Sequence, residues 1–279
     1  MAVLLALAGC SSLRLAYNHG DTLLYWWIDG YVDLDGEQKS WVKKDIDELF
    51  HWHRKTQLHD YIQLLQTAQR QLQGNPGAAD LRADYDEIRS RTELLLFKAL
   101  PELADLARSL KPEQIAQMEK KFAANNLEFR KKNMKGDKEA QQTFRYKKSL
   151  EQFELWFGNF STEQENLIRK ASDLRPLDNE FWLAERSRRQ RNLLAAVKKI
   201  HTEKLSKDAT IAVLHGVIKD GFDGPPQAEQ RQYVEAYTEA TQQLVLSVIR
   251  LATPAQKAHA HKRMQGWIDD FNSLAADPR

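Results

Sequence analysis

The sequence predicts an all-α protein, an elongated multi-helix bundle of long amphipathic helices. Three observations carry this. Gly and Pro are sparse, at 12 and 8 of 279 residues, while the good helix formers Leu, Ala, Gln, Glu, Lys and Arg are abundant. Apolar residues recur three and four apart over long stretches, and no stretch alternates convincingly in the manner of a half-buried strand. Four segments carry a common helix-start pattern: Leu34-Asp35-Gly36-Glu37-Gln38, Leu110-Lys111-Pro112-Glu113-Gln114, Phe160-Ser161-Thr162-Glu163-Gln164 and Ala252-Thr253-Pro254-Ala255-Gln256.

The elements follow in order. Residues 35–73 place Val42, Ile46, Leu49, His53, Leu58, Tyr61, Leu65, Ala68 and Leu72 on one stripe. They predict a single helix about 55 Å long at 1.5 Å per residue. Gly74-Asn75-Pro76-Gly77 ends it, because these residues continue a helix only at a cost. A second helix is expected over 80–110, kinked near Pro101, where a backbone donor is missing. Further helices are expected over 112–135, 137–157, 162–172 and 177–205, with a short one over 208–219. Beyond the loop Gly221-Phe222-Asp223-Gly224-Pro225-Pro226, two more cover 228–252 and 254–275. The β-branched run at 244–249 keeps helical spacing through Tyr237, Thr241, Leu244, Val248 and Leu251, so it reads as a buried helix.

At the four starts the physics is explicit. Asp35, Ser161 and Thr253 can accept a hydrogen bond from an early amide, and the Gln three residues on can reach back to the cap. Pro112 and Pro254 fall at the first helical position, where a missing N–H is harmless. The spacing of the four is too irregular for a solenoid. Two lie in 34–158 and two in 159–275, which leaves room for two similar halves.

Charges nearly cancel, at net +2, so no global field attracts nucleic acid. The basic clusters Arg130-Lys131-Lys132 and Arg186, Arg188, Arg189, Arg191 stand beside Glu128 and Glu185 with no interleaved aromatic platform. They read as solvated faces rather than a single-strand-binding surface.

Met1 to Gly9 is almost wholly apolar and runs into Leu7-Ala8-Gly9-Cys10-Ser11-Ser12. Leu-Ala-Gly-Cys resembles a bacterial lipobox, which implies cleavage before Cys10 and acylation of its thiol, the only one in the chain. The small residues Ala8 and Gly9 suit close approach of a peptidase. Nine apolar residues cannot span a bilayer, which takes about 20. A complete signal carries a basic amino-terminal region, and no Lys or Arg precedes Arg14, so a start upstream of Met1 is expected. By resemblance to bacterial lipoproteins, Ser11 rather than Asp after the cysteine implies the outer membrane, with the body on the periplasmic side. The expected organisation is a signal peptide over 1–9, a lipidated tether with an aromatic segment over 10–33, and a helical domain over 34–275.

The leucine-cap-x-x-glutamine starts resemble the motif of Spy-type periplasmic chaperones, helical proteins that hold unfolded clients. The chain also resembles an uncharacterised family of proteobacterial helical lipoproteins. That resemblance rests on Tyr25-Trp26-Trp27-Ile28-Asp29-Gly30-Tyr31 with Leu34 to Gln38, on Leu110 to Gln114 with Phe122 to Arg130, and on Trp156-Phe157-Gly158 before Phe160 to Gln164. Trp182-Leu183-Ala184-Glu185-Arg186 and Arg188-Arg189-Gln190 extend it. It implies export, lipid anchoring and a helical body, and no activity.

Candidate chemistry is thin. Glu48 and His51 have the Glu-x-x-His spacing of di-iron bundles, but no other His has a Glu three residues before it. His51 and His53, like His259 and His261, stand about 200° apart on a helix, poor geometry for one metal. Acidic pairs such as Asp45 with Glu48 are routine on helices. No nucleophile elbow, phosphate loop or dinucleotide fingerprint is present, so neither an enzyme nor a cofactor is expected. Tyr25, Trp26, Trp27 and Tyr31 are the candidate interaction surface, for a membrane interface or a partner. The competing and favoured reading wedges Trp26, Trp27 and Tyr31 between helices as core, with Asp29 capping or pairing inside. The expected partners are the membrane, through acylated Cys10, and an exposed or unfolded polypeptide of the envelope.

Overall fold

The structure, a computed structural model, describes residues 11–277, and the signal and the lipobox cysteine Cys10 lie outside them. The described residues form thirteen helices and no strand. In the first part of the chain these are α1 (Ser11–Asn18), α2 (Gly20–Val32), α3 (Gly36–Thr56), α4 (Leu58–Gln73), α5 (Ala78–Lys98), α6 (Leu100–Ser109) and α7 (Pro112–Asn133). In the second they are α8 (Lys138–Phe157), α9 (Thr162–Asp173), α10 (Asn179–Glu203), α11 (Lys207–Asp223), α12 (Ala228–Leu251) and α13 (Pro254–Ala276).

Two expected helices are each divided. The rod over 35–73 breaks at Gln57, whose amide still bonds His53 O at 2.9 Å. The break lets α3 aim Val42 and Ile46 at one core while α4 delivers Leu72 to another. The helix over 80–110 breaks at Ala99, two residues before Pro101, so the missing N–H of Pro101 falls in the first turn of α6. The segment over 10–33, expected as a tether, is helical from Ser11 to Asn18 and from Gly20 to Val32, and Tyr25 and Val32 join the first core. Gly20 permits this approach, since a Cβ there would stand 2.7 Å from the Phe50 ring.

The helix pairing repeats. In a first module, the hairpin α2–α3 meets the consecutive helices α6 and α7, with α2 against α7 and α3 against α6. In a second, α8–α9 meets α12–α13, with α8 against α13 and α9 against α12. The two helices between the paired elements, α4–α5 or α10–α11, reach the other module: α4 packs on α13 and α10 on α7. Val197 of α10 therefore completes the first core, and Leu72 of α4 completes the second. A third core joins Leu100 and Ala104 of α6 to Ile200 of α10 and Leu214 of α11. The α8 helix belongs with the second module, so the repeat runs α2–α7 and α8–α13, and a division at residue 158 would part α8 from α9.

Each module is closed by two glutamines, the third helical residues of the four starts. Asp35, Ser161 and Thr253 side chains accept from the amides of Gln38, Gln164 and Gln256 at 2.8, 3.2 and 3.2 Å. Each glutamine Oε1 accepts in return from its own cap amide, at 3.0 Å for Gln38, Gln114 and Gln164 and 2.9 Å for Gln256. The same carboxamides then pair across the module. Gln38 and Gln114 exchange hydrogen bonds of 3.2 and 2.7 Å, and Gln164 and Gln256 exchange bonds of 2.9 and 3.3 Å. Each NH2 also donates to the carbonyl two residues before its partner's cap: Ser109, Asp33, Leu251 and Asn159. Every donor and acceptor of the four side-chain amides is thereby occupied.

A candidate binding groove beside the aromatic segment

Helix α2 presents the aromatic segment with its sides differently employed. Tyr25 is buried with a Lys43 ammonium over its ring, and Tyr31 is half-buried, 5.6 Å from the Phe122 ring, its hydroxyl accepting from Asn125 at 2.8 Å. Asp29 Oδ1 accepts from the Leu34 amide at 2.8 Å and steadies the turn into α3. Trp26 and Trp27, which the packing reading placed in the core, are 62% and 60% exposed. The reason is angular: Tyr25, Ile28 and Val32 take the core face of α2 at helical spacing, and the two indoles fall outside that arc.

Trp27 stands at the edge of an apolar cleft of about 240 Å³ between α2–α3 and α5–α6. Leu24 and Ile28 of α2, Trp41 and Leu49 of α3, Leu95 of α5 and Leu103 and Leu106 of α6 supply its walls. Two carboxylates break this lining, Asp45 from α3 and Glu102 from α6. Asp45 is held above the usual carboxylate range, first by burial and then by the charges of Glu102, Glu48 and Asp105, with Lys44 opposing. Among the described residues neither Asp45 nor Glu102 forms an ion pair, whereas Asp105 is held by Lys207 at 2.6 Å and Glu48 by Lys44 at 3.5 Å. Trp26 lies over a neighbouring cleft shared with Asp21, Lys43 and Asp47.

The other sequence candidates are dispersed. Glu48 and His51 are exposed outside the groove, and His53 is half-buried, its Nδ1 2.8 Å from the Tyr17 hydroxyl. His259 Nδ1 bonds Trp156 O at 2.8 Å, and the His261 carbonyl accepts from Gln69 at 3.2 Å. Of the basic clusters, Arg188 and Arg189 clamp the buried Glu185 at 2.7 Å, and Lys132 pairs with Glu128 at 2.6 Å. Sequence reasoning paired Asp45 with Glu48, whose charge does act on it, and did not name Glu102. The available signal was a carboxylate on the apolar stripe of α3, between Val42 and Leu49.

Residues 30–209 match the model of a family described as a family of unknown function, DUF6279. The chain belongs to this family. The matched region holds Gln38, Gln114, Gln164, Asp45 and Glu102, while Trp26, Trp27 and Gln256 lie outside it. No curated protein and no solved structure matches the chain.

Proposed function

We propose that this DUF6279 protein is a non-catalytic polypeptide-binding lipoprotein of the bacterial envelope. It is tethered to the outer membrane through acylated Cys10 and holds apolar segments of other proteins in the groove beside Trp27. The observation that carries the binding reading is the pair of exposed indoles next to an apolar cleft, because contiguous exposed apolar surface on a monomer marks interaction sites. The anchoring reading draws on the lipobox, and the family resemblance to proteobacterial lipoproteins and Spy-type chaperones supports export and client holding. Suppression of light scattering by an unfolded client tests the binding reading; no effect at equimolar protein removes it. Radiolabelled palmitate tests the anchor, with label expected on the natural chain bearing its full leader and lost on Cys10→Ala.

The two carboxylates bordering the groove favour a second reading, an envelope hydrolase in which Asp45, held above the usual carboxylate range by burial and then by Glu102, Glu48 and Asp105, serves as general acid and Glu102 as base. Hydrolysis of an envelope polymer that is lost on Asp45→Asn would favour this reading over the first.

A further inference from the structure

We infer that the occupant of the groove is a cationic amphipathic polypeptide segment, with leucine-like side chains in the cleft and lysine or arginine on its rim. This rests on the binding reading above and names the class of partner. The modular repeat shows which surface is free. The C-cap residues Asp33 and Gly158, both in the left-handed region at φ 52 and 76, end the matching helices α2 and α8. Counting six and seven residues back reaches Trp27 and Trp26 in α2, and Gln152 and Glu151 in α8. All four are exposed. The second module therefore carries ordinary polar side chains where the first carries two indoles. Packing within the module does not require tryptophan there.

Charge then selects the occupant. Asp45 of α3 and Glu102 of α6 border the apolar groove from its two sides and form no ion pair among the described residues. The basic side chains nearby are turned elsewhere: Lys44 to Glu48, Lys207 and Arg108 to Asp105, and Lys98 over the Trp52 ring. Two like charges set in an apolar wall conflict with folding economy alone. A cation laid between them removes the repulsion and gains two charge-assisted hydrogen bonds. An acidic or uncharged segment gains neither, and an anionic bilayer surface is repelled.

The test uses the full chain and three labelled amphipathic peptides of roughly 18 residues, about five helical turns. They are built from Leu with Lys, Leu with Gln, or Leu with Glu, and binding is read by fluorescence anisotropy. The Leu/Lys peptide is expected to bind about tenfold more tightly than Leu/Gln, the scale of two partly exposed ion pairs. The Leu/Glu peptide should be weaker than either. In the double variant Asp45→Asn with Glu102→Gln, whose fold is checked by helical circular dichroism and its urea midpoint, Leu/Lys falls to the Leu/Gln affinity; a Leu/Lys preference kept by the folded variant overturns the charge inference. Equal binding of Leu/Lys and Leu/Gln to the natural chain overturns the charge inference and leaves the binding reading standing. Binding of no peptide overturns both. Adsorption to phosphatidylglycerol vesicles through Trp27, with no peptide bound, overturns both and assigns the groove to lipid.

Discussion

The two modules use one architecture and finish it differently. In the second, Trp156 at the end of α8 is covered by Trp267 of α13, ring to ring at 4.9 Å, with the Arg263 guanidinium 5.6 Å away. In the first, the matching Tyr31 meets Asn125 of α7 by a hydrogen bond, and the indoles one turn earlier stay open to solvent. Fourteen residues past the cap, Asn125 and Trp267 hold the same place in their modules. A repeated scaffold thus separates what folding needs from what one copy has added. The glutamine clasps are needed, because both modules carry them. The Trp26–Trp27 surface is not, because only one does.

The largest effect should come from parting the modules. A chain cut in the α7–α8 connection near Gly136 is expected to stay associated in native buffer, because α4 and α10 each complete the other module's core. The two fragments, once separated, should lose cooperative unfolding, as circular dichroism would show. A fragment that folds alone would break the claim that the modules are interdependent.

Next come the clasps. Gln38 and Gln114 are 3% and 4% exposed, whereas Gln164 is only half-buried. Gln114→Ala removes the side-chain partner of the Lys111 amide and of the Asp33 carbonyl and two of the Gln38 carboxamide's hydrogen bonds, and should cost about 3 kcal/mol. Gln164→Ala should cost about 1.5 kcal/mol, because water can reach part of what it leaves. Urea midpoints at constant slope measure both. Equal costs would mean that burial does not distinguish the two clasps.

Trp267→Ala should cost about 2 kcal/mol by uncovering Trp156, less than a fully buried tryptophan would. Copying the second module into the first with Trp26→Glu and Trp27→Gln should cost no more than about 1 kcal/mol, the scale of the lost contact between the Trp27 and Tyr31 rings, 4.8 Å apart. The same double change should abolish peptide binding. A large loss of stability would return the indoles to a packing role.

The smallest effect concerns pH. The folded-state pKa of Asp45 is raised above 3.8, so the folded chain binds more protons than the unfolded one in the window above 3.8. Stability is therefore lost as pH rises through that window. Burial is the first cause, followed by the charges of Glu102, Glu48 and Asp105, with Lys44 opposing. Asp45→Asn should be slightly more stable than the natural chain at pH 7 and indistinguishable from it near pH 3. A destabilised variant at pH 7 would show that Asp45 has a favourable partner after all.

The sequence by itself determined the helical class, most helix limits and the four capped starts, because spacing, capping and proline placement act within a turn or two of chain. Asp35 with Gln38, Ser161 with Gln164 and Thr253 with Gln256 needed nothing distant to be read. Tertiary structure alone decided that those glutamines clasp in pairs, that the rod over 35–73 divides at Gln57, and that Trp26 and Trp27 face water. It also brought Glu102 across to Asp45. Each of these depends on which helix packs against which, and local periodicity shows only that a helix has an apolar side. The crossing of α4 and α10 between modules follows from burial summed over the whole chain, to which no single stretch of residues is a guide.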